Sequence, residues 1–184
     1  MLVKVPLSRG TTLQGIAVIT AVLVLACGCR SGSPAHSVDA DDSIVMSIVP
    51  TSGSGSSQVF TASYSRPDDM AQAATTRLLI NHDPDGRMAC YVYFDRASNS
   101  FLLVNDAGDK TTRIARGAAA HLENSQCDLD GSASSVEASG NQLTMRVSLA
   151  FKHPFSGKMN VYLYSDDTGG KSTGFQKAGT WLIP

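Results

Sequence analysis

Alternation of apolar and polar residues is the feature that most constrains the fold of this chain. It is clearest over Gln142–Phe151, which places Leu143, Met145, Val147, Leu149 and Phe151 on one face. A period of two indicates a half-buried β-strand, because successive side chains point to opposite sides of a sheet. Similar segments recur from residue 43 onward and are broken by turn residues about every 8–12 positions. The pattern therefore predicts an all-β domain over residues 43–184.

We expect roughly eight or nine short strands, arranged as a two-sheet antiparallel β-sandwich of the immunoglobulin-like kind. Besides Gln142–Phe151, the predicted strands are Ser43–Val49, Gln58–Tyr64, Arg77–Asn81, Met88–Asp95, Phe101–Asn105, Ser134–Ala138, Lys158–Tyr164 and Thr180–Ile183. Helical signals are weak. Asp69–Ala74 predicts a short helical turn, and Ala118–Leu122 is the only mildly helical segment of the irregular stretch 109–125. The serine- and glycine-rich run Thr51–Ser57 is typical of a linker.

The apolar stretch Ile16–Ala26 predicts export. Lys4 and Arg9 precede it, and it ends in small residues at a cysteine. Its length of about 11 residues falls well short of the roughly 20 that a membrane-spanning helix needs. We therefore expect residues 1–26 to be a cleaved signal peptide rather than a permanent span.

The end of this stretch, Val24-Leu25-Ala26-Cys27, resembles a bacterial lipobox. The resemblance implies cleavage before Cys27 and attachment of a diacylglycerol, with palmitate-type acylation, to its thiol. A second register would place the lipid on Cys29 and leave an even number of cysteines in the mature chain. Residues 27–42 then form a flexible, lipidated tether. The expected location is the cell envelope, anchored to a membrane and facing the periplasm or the outside.

Composition argues against a nucleic-acid partner. The leader holds two of the 15 basic residues and none of the 16 acidic ones, so the mature chain is mildly acidic. Binding to phosphates needs a basic patch, and the lysines and arginines here are scattered. The expected partners are the membrane, through the anchor, and an envelope protein or a glycan.

Two further cysteines, Cys90 and Cys127, fall within the domain. Export places both in an oxidising compartment, where two cysteines of one small domain usually pair. We expect one intradomain disulfide between them. Two separate buried thiols are the alternative.

Four tyrosines on two predicted strands form a candidate recognition face. Tyr91 and Tyr93 share one side of their strand, opposite Val92, and Tyr162 and Tyr164 share one side of theirs. If the aliphatic sides form the core, the four rings line an exposed sheet surface suited to glycan or protein contact. The opposite arrangement, with the tyrosines in the core, is equally compatible with the alternation.

The mature chain resembles an uncharacterised immunoglobulin-like module of secreted and surface bacterial proteins. The matching segments are Pro50–Gly55, Leu78–Asn81, Ala89–Tyr93, Leu102–Gly108, Asn124–Cys127 and Gly179–Trp181. The resemblance covers residues 44–184 and implies a β-sandwich, the Cys90–Cys127 pair and a role in adhesion or display. The stretch Val161–Gly170 with Gly179–Trp181 also resembles the last two strands of bacterial immunoglobulin-like domains.

No motif for catalysis or for a cofactor is found. Gly170-Lys171-Ser172 lacks the first glycine of a phosphate-binding loop, because Ser165 occupies that position. Gly170-Lys171-Ser172-Thr173-Gly174 matches Gly-x-Ser-x-Gly by residue type but leads into a strand, whereas a nucleophile turn needs a following helix. The histidines lack the paired spacing of a zinc site. The sequence therefore predicts no enzymatic activity, no cofactor and no metal site.

One metal question stays open. The turns that contain Asp83 and Asp85, Asp106 and Asp109, and Asp166 and Asp167 are rich in carboxylates. Several such loops at one end of a sandwich could together bind calcium. Tight turns favour Asp and Gly for reasons of backbone geometry alone, which is the simpler explanation.

The function expected from the sequence is that of a membrane-anchored, non-enzymatic β-sandwich lipoprotein, which acts in surface adhesion, recognition or envelope structure. The alternative is a periplasmic or surface lipoprotein that binds a small ligand or a glycan through its loops.

Overall fold

The computed structural model describes residues 43–67 and 70–184, which form twelve strands and one 3-10 turn, Met70–Gln72. The strands are β1 Val45–Val49, β2 Ser52–Ser54, β3 Ser57–Ser65, β4 Ala73–Asn81, β5 Cys90–Asp95, β6 Ser100–Val104, β7 Thr111–Ala115, β8 His121–Glu123, β9 Cys127–Ser139, β10 Gln142–Phe151, β11 Gly157–Asp167 and β12 Gln176–Ile183. Within these two ranges no helix is long and apolar enough to cross a membrane. The predicted signal peptide 1–26, the tether 27–42 and both candidate lipidation cysteines, Cys27 and Cys29, lie outside the described residues.

The strands form a five-stranded sheet in the order β1-β3-β10-β9-β8 and a seven-stranded sheet in the order β2-β12-β11-β4-β5-β6-β7. The predicted all-β, two-sheet sandwich is confirmed. Pairing is antiparallel except between β2 and β12. The described part of the chain therefore starts in one sheet with β1, crosses to the other at β2, and returns to the first with β3.

Strands β2, β7 and β8 account for most of the excess over the predicted number. They are three to five residues long, and nearly all their side chains are exposed. Such segments have at most one buried side chain and therefore almost no alternation to detect. Their pairing is set by a neighbour instead, as when β2 lies beside Thr180–Leu182 of β12.

The core lies between the sheets and consists of the inward residues of the long strands. The five apolar residues predicted to share one face of β10 are all buried. Phe60 of the five-stranded sheet meets Trp181 of the other edge to face, with ring centroids 5.5 Å apart. The disulfide between Cys90 and Cys127 also joins the two sheets, and the predicted pair is thereby confirmed.

The mildly helical expectation for Ala118–Leu122 is wrong. Residues 118–120 follow a turn and form no helix, and the carbonyl of Ala120 accepts a hydrogen bond from Gly131 N at 2.9 Å. His121–Glu123 then forms β8, in which Leu122 is buried and pairs with Leu129. Tertiary pairing with β9 thus overrides the local preference of three alanines for helix. The short helical turn expected at Asp69–Ala74 is present at Met70–Gln72.

Candidate recognition face

The outer side of the seven-stranded sheet carries the predicted tyrosines. On β5, Val92 and Phe94 point into the core, and on β11 Val161 and Leu163 do the same. Alternation therefore directs Tyr91, Tyr93, Tyr162 and Tyr164 outward. Of the two arrangements left open by the sequence, the structure has the one in which the aliphatic residues form the core.

The tyrosines are brought together by β4, which lies between β11 and β5. Register pairs Arg77 with Tyr164 on one side and Tyr93 on the other, and pairs Leu79 with Tyr162 and Tyr91. We call these six side chains, together with Phe175, the aromatic face. The six strand positions lie on three neighbouring strands, two on each strand and two residues apart. They therefore extend over about 10 Å across the strands and 7 Å along them.

Phe175 completes the face from the connection between β11 and β12. Its ring centroid lies 5.2 Å from that of Tyr164, 5.8 Å from Tyr91 and 6.5 Å from Tyr162. Below it, Leu79 is fully buried and forms a small apolar cluster with Ala89 and Tyr162, separate from the main core. The rings are therefore held by packing, which limits their freedom before any ligand arrives.

Arg77 organises the first row of the face. Its guanidinium carbon lies 4.4 Å from the ring centroid of Tyr164 and 5.3 Å from that of Tyr93, within cation–π range of both. Its nitrogens donate to the Tyr91 hydroxyl at 3.1 Å, to Thr75 Oγ1 at 2.9 Å and to the Asp166 carboxylate. One arginine thus connects all three strands of the face.

The charges inside the face are balanced. Burial lowers the pKa of Arg77, but its hydrogen bond to Tyr91 and the nearby Asp166 carboxylate outweigh this and raise it. Burial raises the pKa of Tyr91, although the contact with Arg77 opposes the shift. Arg77 therefore stays cationic and Tyr91 neutral at physiological pH. Because Arg77 is paired with Asp166, the face presents no uncompensated charge of its own.

Tyr162 has a different role from the other three tyrosines. Only 9% of it is exposed, and its hydroxyl donates to the carbonyl of His82 at 3.1 Å. Asn160 Nδ2 donates to the same carbonyl at 2.6 Å. Tyr91, Tyr93 and Tyr164 are half-buried and offer ring surface and hydroxyl groups. The contact surface is thus made by three tyrosines and Phe175, with Tyr162 as their support.

The aspartate-rich turns are occupied by internal contacts. Asp85 binds Arg87, Asp109 accepts from Asn105 and Asp166 binds Arg77. Within residues 43–67 and 70–184, no three His, Cys, Asp or Glu side chains are grouped so as to hold a metal ion.

Replacing Arg77 with Met and Asp166 with Asn should show that the two side chains act as a unit. We expect each single variant to lose about 1–2 kcal/mol of unfolding free energy, and the double variant to lose clearly less than their sum. Arg77→Met leaves the partly buried carboxylate of Asp166 without its ion-pair partner. Thr75 donates to Asp166 through N and Oγ1, and Asn at position 166 keeps an acceptor for these bonds. Urea unfolding of the four proteins measures the coupling. Strictly additive losses would contradict the expectation.

Comparison with known proteins assigns the chain to no family. No protein-family model matches the chain, and no curated protein does. One solved structure that matches is titled "AvmM Catalyzes Macrocyclization in Alchivemycin A Biosynthesis". It is 16% identical, the match covers 78% of this chain and 89% of that one, and the TM-score is 0.37.

The prediction that this protein has no enzymatic activity is withdrawn, because it was drawn only from missing motifs, and the matched chain is described as a catalyst. Catalytic side chains on a β-sandwich come from separate strands and loops, so their spacing follows no pattern along the sequence. A TM-score of 0.37 and an identity of 16% transfer no reaction to this chain, and none is assigned to it.

Proposed function

We propose that this protein is a lipid-anchored recognition protein of the bacterial cell envelope that binds neutral glycan chains through its aromatic face. The observation that carries the proposal is the set of three half-buried tyrosines and Phe175 on the outer side of the seven-stranded sheet. The proposed location in the cell envelope is supported by the apolar stretch Ile16–Ala26 and the cysteine that follows it.

The chemistry of the face favours a neutral saccharide. Aromatic rings offer flat apolar surface, and the hydroxyls of Tyr93 and Tyr164 make no hydrogen bond within the described part of the chain. Because Arg77 is neutralised by Asp166, the face has no free charge to attract an ionic ligand. A sugar ring presents an apolar side for stacking and hydroxyls at its edge, which matches both properties.

The size of the aromatic face also favours a saccharide ligand. Its strand positions extend over about 10 Å by 7 Å, whereas a standard protein interface buries about 800 Å² on each partner. A rigid platform of this extent suits one or two sugar rings. The rings are already fixed by mutual packing and by Arg77, so little conformational entropy is lost on binding.

The test is calorimetric titration of the full-length protein in detergent with the linear tetrasaccharides of β-1,4-linked glucose and of β-1,4-linked N-acetylglucosamine. Tyr164→Ala and Tyr93→Ala should each weaken binding about tenfold, the scale of a lost aromatic stacking contact. Arg146→Ala, on the exposed side of the five-stranded sheet, is the matched control and should bind as the unaltered protein does.

Two results would overturn the proposal. One is that neither tetrasaccharide binds. The other is that the tyrosine variants bind the sugars as Arg146→Ala does. If neither sugar binds while the tyrosine variants lose a specific cross-linked envelope protein, the face is a protein-binding surface and the glycan proposal fails.

A further inference from the structure

A pocket opens at the end of the sandwich where the aromatic face stops. Three connections surround it, namely β4–β5, β8–β9 and β10–β11. Its walls include His82, Met88, Gln126, Phe155, Ser156 and Met159. We call it the loop-end pocket. Its volume is about 290 Å³, which is room for roughly ten water molecules or one small ligand.

Gln126, which lines the pocket, has a buried acceptor without a partner in the described part of the chain. Gln126 is 4% exposed, and its side-chain oxygen Oε1 has no hydrogen-bond partner among the described residues. Its amide nitrogen donates to Ser125 Oγ at 2.8 Å, so only the oxygen of this amide is without a partner within residues 43–67 and 70–184. Buried acceptors in native proteins are nearly always satisfied, and an unsatisfied one requires an explanation. A ligand that brings an O–H or N–H donor would supply the missing bond.

The backbone around Gln126 is held firmly in place. Asn124 Oδ1 accepts from the backbone nitrogens of Gln126 and Cys127, and its Nδ2 donates to the carbonyls of Ala89 and Val104, all at 2.9 Å. The disulfide of Cys127 adds a covalent tie to β5. The acceptor is therefore preorganised by rigid surroundings, as a binding group should be.

Met88 is the movable part of the pocket. It is 57% exposed, unusual for a large apolar residue, and it has a positive φ of 50°. Its sulfur lies 4.0 Å from the amide nitrogen of Gln126. Unbranched methionine side chains change rotamer readily and adapt to different contacts, and strained backbone positions cluster at ligand sites. Displacement of Met88 would open the way to Gln126.

One residue, His82, connects the pocket with the aromatic face. His82 lines the pocket, while its carbonyl accepts hydrogen bonds from Tyr162 and Asn160 on the strand that carries the face. From Tyr164 to Asn160 the strand runs four residues, about 13 Å. A linear ligand lying on the face would therefore reach the pocket with its next unit.

We infer that the loop-end pocket binds the terminal unit of the glycan that lies on the aromatic face, with Gln126 Oε1 accepting a hydrogen bond from a sugar hydroxyl. This inference rests on the proposed function. Among the described residues no Asp, Glu, Lys or Arg side chain lines the pocket, which again selects a neutral ligand. Phe155 supplies a ring for stacking, and Ser156 and His82 supply further polar groups.

The test uses the full-length protein labelled with ¹³C at its methionine methyl groups. Glucose and N-acetylglucosamine are the single-unit probes, and their β-1,4-linked tetramers are the longer ones. At least one monosaccharide should shift the methyl signals of Met88 and Met159, and its tetramer should bind more tightly. Gln126→Met should reduce the affinity for both about tenfold, the scale of one lost hydrogen bond in a buried site.

Gln126→Met is a suitable variant because it has nearly the same length and removes the unsatisfied acceptor. It should fold at least as stably as the unaltered protein, so a loss of affinity cannot be attributed to unfolding. Gln142→Met, at an exposed position at the start of β10, is the matched control and should leave binding unchanged.

The outcomes separate this inference from the proposed function. If the tetramers bind and Tyr164→Ala weakens them, but Gln126→Met has no effect and Met88 does not shift, the face stands and the pocket inference is overturned. If Gln126→Met abolishes monosaccharide binding but Tyr164→Ala does not weaken binding of the tetramer, the pocket binds sugar by itself. The inference that pocket and aromatic face bind one glycan together is then disproved. If no sugar binds, both proposals fail.

Discussion

Replacing both Cys90 and Cys127 with alanine is expected to lower the free energy of unfolding by about 4 kcal/mol. The two cysteines are 37 positions apart, and a crosslink that closes a loop of this length removes about that much conformational entropy from the unfolded chain in the chain-entropy model. Both side chains are fully buried, and they tie β5 of one sheet to β9 of the other. Urea unfolding of the full-length variant against the oxidised protein measures the difference.

The matched control for this experiment is Cys29→Ala, which removes a thiol that lies outside the described residues. It should leave the unfolding curve of the domain unchanged. Reduction of the unaltered protein should reproduce the instability of the double variant. A loss below about 1 kcal/mol in the double variant would mean that the crosslink contributes little to the stability of the sandwich.

Cys27→Ala is expected to abolish acylation of the protein. If Cys27 carries the lipid, its loss removes all the acyl chains together. Cells grown with an alkyne-bearing palmitate analogue provide the measurement. The label should be absent from the variant, which should also keep its uncleaved leader.

Cys29→Ala is again the control, because it lies two residues away in the same setting. It should keep the label. If Cys29→Ala loses it and Cys27→Ala does not, the lipid is on the second cysteine. If neither variant changes, the lipoprotein proposal is wrong.

Strands with one buried side could be predicted from the sequence, and the others could not. In β10 every inward residue is a large apolar one, so the strand is evident without any knowledge of its neighbours. β2 has three exposed residues, Ser52, Gly53 and Ser54, and becomes a strand only because β12 offers a free edge. Alternation of apolar and polar residues indicates which side of a strand is buried, so a strand with no buried side shows no alternation in the sequence.

The candidate site was predictable in part for a related reason. Alternation shows which tyrosines share a side of a strand, but tyrosine and valine can both fill a core, so it does not show which side is buried. That is decided by β4, whose Leu78 and Ile80 point inward. Arg77 and Phe175 were missed because their roles depend on strand order: β4 lies beside β11, some 85 positions later in the chain.

The division of the first strands between the two sheets has a mechanical consequence. In a protein held by its N-terminus, a pull on the bound ligand enters the domain through β1 and then β2. β1 is hydrogen bonded along β3 in the five-stranded sheet, and β2 along β12 in the seven-stranded one. The two ladders follow one another along the chain, so β2 bears the load only after β1 has separated from β3. Because resistance to force depends on the rate of unfolding, both ladders, rather than one exposed edge, set how long the domain stays folded under tension.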